Sequence, residues 1–193
     1  MTIFLVRHGE TEWNLAGRYQ GWSDSPLTER GVAQASAIGR RLRDLPEAAA
    51  ARLVTSPLGR AHRTAIIISE MLGRSEPPRV DERLREISLG SWDGIDRAQL
   101  RDMLKETPEG YHRYEWYFRS PDGESYETFA GRIGGCLREL GAEPVIIVCH
   151  GIVTRVWRGL HAGLPREAAL SLPVPQDRLF RLAGDGTIEE IMA

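Results

Sequence analysis

Two short apolar runs in this chain each stop at a histidine followed by a glycine. Ile3-Phe4-Leu5-Val6 leads into Arg7-His8-Gly9, and Val145-Ile146-Ile147-Val148-Cys149 leads into His150-Gly151. The second run is almost wholly β-branched, as expected of a strand buried on both faces, and such strands belong to parallel sheets with helices on either side. Open sheets of that kind carry their functional side chains at the carboxyl ends of the strands. On these residues alone two readings of Arg7 and His8 stand side by side. They are either a reactive pair at a strand end or a solvated pair before a turn glycine.

Between the two runs the chain alternates strand and helix signals. The stretch from Gly9 to Pro26 is polar and turn-rich, and its Trp13 and Trp22 need packing partners, so it is expected to lie against the body. Thr28 is placed to cap a helix carrying Val32, Ala35, Ile38 and Leu42 at helical spacing, closed by Pro46. Arg52-Leu53-Val54-Thr55 reads as a second strand, followed by Ser56-Pro57 as helix cap and first turn. Arg60 then falls near a helix amino terminus, where its charge is unfavourable unless an anion sits beside it. His62 and Arg63 point to other faces and read as structural or solvent-facing. Gly73 closes this helix, Pro77-Pro78 links onward, and Arg79-Val80 is a short third strand. An ordered loop follows with Glu86 in it, which either acts as an acid or simply pairs with Arg83 or Arg85.

Asp96 caps a further helix reaching about Lys105. The stretch from Tyr111 to Arg119 is the most aromatic in the chain and reads as a helix or flap over a pocket mouth. Ser125 caps the helix of Phe129, Ile133, Leu137 and Leu140, which ends near Gly141. After His150 a helix presents Val153, Val156, Trp157 and Leu160 as its apolar face, with Arg155 and Arg158 toward its polar side, and Gly163 and Pro165 end it. Leu170-Ser171-Leu172 and a proline-bearing turn follow. Arg178–Leu182 and Thr187–Ile191, joined by Gly184-Asp185-Gly186, read as a terminal hairpin. The expected architecture is an α/β three-layer α/β/α sandwich with a mostly parallel sheet. It forms a single domain over 1–193 with a small cap at about 95–121.

The 193 residues suffice for one substantial core. A net charge of -2, from 25 basic and 27 acidic residues, gives no sign of a nucleic-acid or membrane surface. Two cysteines, Cys136 and Cys149, fit a reducing compartment. The few residues before Arg7 are too short for a secretory signal, and no apolar run reaches membrane-spanning length. The expectation is a soluble cytoplasmic protein, monomeric or homodimeric.

If the strands share one parallel sheet, His8, His150, Arg7 and Arg60 converge at its carboxyl edge. Two guanidinium forks match phosphate oxygens well. Two histidines without an evident third ligand, flanked by arginines that repel a cation, argue against a metal. What remains is phosphoryl transfer through a neutral imidazole, with the sequence silent on which histidine attacks.

Arg7-His8-Gly9-Glu10-Thr11 resembles the signature of the histidine phosphatase superfamily, which includes the cofactor-dependent phosphoglycerate mutases. Ser56–Ala65, Glu86-Ile87 with Gly90–Gly94, Pro121–Ser125, and His150-Gly151 with Arg155 resemble its later blocks in the same order. The resemblance runs from Thr2 to about Leu160. It implies His8 as nucleophile, Glu86 as general acid and base, and Arg7, Arg60 and His150 as the phosphate clamp. It further implies that the Gly9 carbonyl orients His8, that Asn14 adds a phosphate contact, and that no metal or other cofactor is needed.

The substrate is then a small phosphorylated metabolite, with no nucleic-acid or membrane partner. Because the stretch from Gly94 to Pro121 leaves room only for a modest cap, a phosphomonoesterase is expected. The alternative is a phosphoglycerate mutase primed by 2,3-bisphosphoglycerate. A non-catalytic phospholigand-binding regulatory protein ranks below both. His112, Arg113 and Arg119 are candidates for a second anionic group, and Tyr114 or Trp116 for packing on a sugar or ring. The family suggests phosphoglycerate-like compounds, sugar phosphates, phosphoserine and α-ribazole phosphate.

Overall fold

The computed structural model describes residues 1–105 and 114–193. Its strands are β1 (Thr2–Arg7), β2 (Arg52–Thr55), β3 (Arg79–Val80), β4 (Val145–Cys149), β5 (Arg178–Ala183) and β6 (Ile188–Met192). Its helices are α1 (Glu12–Leu15), α2 (Glu29–Arg43), α3 (Pro46–Ala49), α4 (Gly59–Met71), α5 (Arg97–Met103), α6 (Tyr126–Arg138), α7 (Gly151–Ala162) and α8 (Arg166–Ser171). The strands form one sheet in the order β3-β2-β4-β1-β5-β6. The first four run parallel and the last two antiparallel, as the terminal hairpin predicts.

Side-chain alternation divides the core into two layers around the sheet. Ile3, Leu5, Val145 and Ile147 pack with Phe129, Ile133, Val153, Val156 and Trp157 of α6 and α7. Phe4, Val6, Ile146 and Val148 pack with Ile38, Leu42, Ala61, Ala65 and Ile68 of α2 and α4. Each buried Val, Leu, Ile or Phe side chain among these contributes about 1.5–3 kcal/mol. A one-residue slip would exchange the faces and lose this match, so register is firmly set. The three-layer α/β sandwich is therefore the observed fold. No helix among the described residues is long and apolar enough to cross a membrane.

The expected caps are present. Thr28 Oγ1 accepts from Gly31 N at 3.0 Å, Ser125 Oγ from Thr128 N at 3.1 Å, and Asp96 Oδ1 from Ala98 and Gln99 N at 2.8 Å. Two expectations are corrected. Ser56 does not cap α4: Leu58 is the N-cap, with extended backbone, and α4 starts at Gly59. Arg155 and Arg158 do not sit on a polar side of α7. They are 5% and 3% exposed, while Leu160 is 42% exposed. The cause is that α7 is enclosed on more than its sheet-facing side, by α8 and the chain that follows it.

Candidate active site

The sheet order explains how distant residues meet. β1 and β2 both flank β4, with Arg7 in register with Cys149 and Thr55 with Val148. Arg7-His8, Ser56 and His150 therefore leave adjacent strands at one edge. The rings of His8 and His150 lie 5.3 Å apart, centroid to centroid. A cleft of about 320 Å³ opens there, lined among others by Arg7, His8, Asn14, Arg60, Glu86 and Gly151.

His8 is buried, and its Nδ1 donates to the Gly9 carbonyl at 2.8 Å. A carbonyl only accepts, so the proton is on Nδ1 and Nε2 carries the lone pair. Burial, with Arg60 and Arg7 close by, holds its pKa well below the ordinary 6.5. His150 Nε2 shares a 2.7 Å hydrogen bond with Ser56 Oγ, the group expected at the helix cap. Its pKa is also held well below 6.5, by burial and then by Arg60 and His8. Both rings are therefore neutral near pH 7.

The two arginines are held by main-chain carbonyls. Arg7 Nη1 donates to Val174 O. Arg60 donates to Gly21 O at 2.8 Å, Ser23 O at 2.7 Å and Asp24 Oδ1 at 2.9 Å. Asp93 Oδ2 in turn fixes that loop by accepting from Trp22 N at 2.9 Å and Ser23 N at 3.2 Å. Burial lowers the Arg7 pKa to about 10, against the opposing pull of Glu86, and burial likewise lowers that of Arg60. Arg7 Nε, Arg60 Nε and His150 Nδ1 are buried with no hydrogen-bond partner. Unpartnered buried polar atoms are costly, and of the seven among the described residues these three belong to the residues grouped at this strand edge, where an anion would meet them.

Glu86 is half-buried. Its Oε1 accepts from Ile87 N at 3.0 Å and its Oε2 from Ile152 N, in the first turn of α7, at 3.1 Å. It does not pair with its neighbours: Arg83 bonds Asp81 and Glu139, and Arg85 bonds Glu82. A Cβ built on Gly151 would lie 3.6 Å from Arg7 Nε and 3.7 Å from Glu86 Oε2, so the acid and the clamp face each other across that glycine. Asn14 Oδ1 accepts from Thr11 N at 3.3 Å and Gln176 Nε2 at 3.0 Å.

Arg119 does not join this group. It is exposed at the end of the 3-10 turn Glu115–Phe118, whose Trp116 and Tyr117 turn inward, and it is absent from the cleft lining. His112 and Arg113 lie outside the described residues. His62 and Arg63 also stand outside the cleft. From the aromatic segment Tyr117 reaches the lining, its phenol pushed up by burial, while Trp116 packs behind it on Tyr19 at 4.6 Å.

Arg18, Tyr19, Arg97 and Gln176 also line the cleft. Nothing in their local sequence marks them. Arg97 follows a helix cap, and Gln176 sits beyond a pair of prolines, so only the tertiary fold brings them in. Among the described residues no three His, Cys, Asp or Glu side chains gather as metal ligands would.

The sequence pattern of the histidine phosphatase superfamily (branch 1) matches residues 3–189. The probable phosphoglycerate mutase GpmB of Salmonella arizonae is 37% identical over 177 residues, covering 87% of this chain and 78% of its own. A mycobacterial glucosyl-3-phosphoglycerate phosphatase, solved with VO3, superimposes with a TM-score of 0.80 at 27% identity, covering 99% of this chain and 96% of its own. Bacillus stearothermophilus YhfR gives a TM-score of 0.80 at 33% identity, with 99% and 95% covered.

Proposed function

The chain belongs to the histidine phosphatase superfamily, and we propose that it hydrolyses a small phosphomonoester through a phosphohistidine at His8. The observation that carries this reading is the Nδ1 bond to Gly9 O, which leaves a neutral ring with its lone pair on Nε2 beside the Arg7 and Arg60 guanidiniums. In the first step Nε2 attacks phosphorus in line, and the bond from phosphorus to the alcohol oxygen breaks. Glu86 gives a proton to the departing oxygen. Arg7, Arg60 and His150 meet the phosphoryl oxygens with donors that are otherwise unused, and Asn14 adds another. In the second step water attacks the phosphoryl group. Glu86 takes the water proton, the bond from phosphorus to Nε2 breaks, and inorganic phosphate leaves. The positive field comes from arginine, so these steps use no metal and no other cofactor.

Arg18 and Arg97 add further guanidiniums to the cleft lining, which favours an alcohol bearing a second negative group. The 37% identity to a protein named as a phosphoglycerate mutase favours a second reading, in which a substrate hydroxyl rather than water takes the phosphoryl group and 2,3-bisphosphoglycerate primes His8. Incubation with 3-phosphoglycerate separates the two. Release of inorganic phosphate supports hydrolysis, while 2,3-bisphosphoglycerate-dependent formation of 2-phosphoglycerate with little release supports the mutase.

Turnover is expected to fall to background in His8→Ala, and equal rates would remove His8 as nucleophile. Glu86→Gln should cost about 10²–10⁴-fold on an alkyl phosphate and far less on p-nitrophenyl phosphate, whose leaving group scarcely needs a proton. Equal losses on both would remove Glu86 from the acid role.

A further inference from the structure

The segment Leu172-Pro173-Val174-Pro175-Gln176, between α8 and β5, runs alongside the site and contributes Val174 and Gln176 to the cleft lining. Its two prolines have no N–H and restrict the backbone to extended shapes. Its three successive carbonyls each receive a different arginine, two of them buried and the third, Arg7, half-buried. Arg155 Nε donates to Leu172 O at 2.7 Å, Arg158 Nη2 to Pro173 O, and Arg7 Nη1 to Val174 O. Neither Arg155 nor Arg158 makes an ion pair with a carboxylate among the described residues. Each lies instead against a ring, Arg155 at 4.1 Å from Tyr114 and Arg158 at 3.9 Å from Phe180. Two buried cations with no carboxylate in contact are an expensive way to hold a loop. The segment they hold ends in Gln176, whose Nε2 donates to His8 O at 3.1 Å and to Asn14 Oδ1 at 3.0 Å.

Both hydrogens of that amide are thereby committed. Asn14 Oδ1 is engaged on one side by Gln176 and on another by Thr11 N. The Asn14 carboxamide therefore cannot turn over, and its Nδ2 is the end presented to the cleft. We propose that Leu172–Gln176 is a positioning strap for the phosphoryl site, its Val174 carbonyl aiming the Arg7 guanidinium and Gln176 aiming the Asn14 amide. The strap touches no reacting atom; it acts through Arg7, Asn14 and the His8 backbone. This inference rests on reading the cleft as a phosphoryl-transfer site.

The test uses Gln176→Leu, Gln176→Glu, Asn14→Ala and the double variant Asn14→Ala/Gln176→Leu, assayed on p-nitrophenyl phosphate with orthovanadate as inhibitor. Gln176→Glu keeps the shape of the side chain and removes both donors. Each Gln176 variant should lose about 10²-fold in kcat/KM, the scale of a displaced site group, with the inhibition constant of vanadate rising by a similar factor. A merely structural role would lower the active fraction and leave that constant as in the wild type. The double variant should lose less than the product of the two single losses, because both changes remove the bond between Gln176 and Asn14. Wild-type vanadate inhibition in the Gln176 variants, or losses that multiply in the double variant, would overturn the strap while leaving the site reading intact. A wild-type protein that neither hydrolyses the ester nor responds to vanadate would overturn both.

Discussion

A Cβ built on Gly9 would stand 2.3 Å from the carbonyl oxygen of Gly31, and one on Gly31 would stand 2.0 Å from that of Glu10. Backbone cannot yield as a side chain can. Gly9→Ala should therefore cost at least about 2 kcal/mol in chemical denaturation and move the carbonyl that orients His8. Gly151 differs in kind. The nearest atoms to its added methyl are at ordinary contact distance, yet they are Arg7 Nε and Glu86 Oε2. Gly151→Ala should fold as stably as the wild type, within about 0.5 kcal/mol, and lose turnover. A stable, fully active variant would mean that the reacting atoms do not pass between those two side chains. At this scale the residues that the proposed reaction uses are readable from sequence, because that chemistry asks for their types, and His8 and His150 stand directly after β1 and β4. Gln176, Arg18 and Arg97 are not, since their roles depend on which distant segment folds beside them.

At the scale of elements, α2 shows what a cap does for the site. Thr28 Oγ1 accepts from Gly31 N, and the same hydroxyl donates to Glu10 Oε1 at 3.0 Å. Thr28 N donates to Glu10 O at 2.9 Å. The helix start is thus tied to the loop that follows His8. Thr28→Ala should lower stability by about 1 kcal/mol, read as a lower denaturation midpoint at unchanged slope. Thr28→Ser should recover most of it; no recovery would assign the loss to the methyl group. Caps and strands were readable because their signals are local. The start of α4 lies two residues beyond the expected cap, because the Ser56 hydroxyl accepts from Leu58 N before the helix begins and also meets His150, a partner nearly a hundred positions away. Arg155 and Arg158 were misread for a related reason. Helical spacing reports which face repeats, but it does not report that α8 and the strap enclose the other face.

Over the whole molecule, strand order decides that β1, β4 and β2 lie side by side, and no local signal carried that order. Its consequence is that two histidines are buried together beneath two cations, which sets how stability depends on acidity. The pKa values of His8 and His150 lie well below 6.5 in the folded protein and near that value in the unfolded chain. Below about pH 6.5 the unfolded chain therefore binds protons that the native state refuses, and stability falls as pH falls. Each histidine contributes up to about 1.4 kcal/mol per pH unit in that window. The carboxylates whose pKa values are depressed by hydrogen bonds, Asp81, Asp122, Asp177 and Asp185, act only as pH approaches 3.8. Asp93, raised by burial, takes up its proton above 3.8 and there opposes the histidines. The melting temperature should thus drop steadily from pH 7 to pH 5, before carboxylate titration begins to matter. Saturating inorganic phosphate should raise the curve and flatten it, because an anion among His8, Arg7 and Arg60 favours the charged imidazoles. A melting temperature that stays level from pH 7 to pH 5 without phosphate would show that the native site takes up protons as readily as the unfolded chain, and burial would then not be what holds His8 neutral.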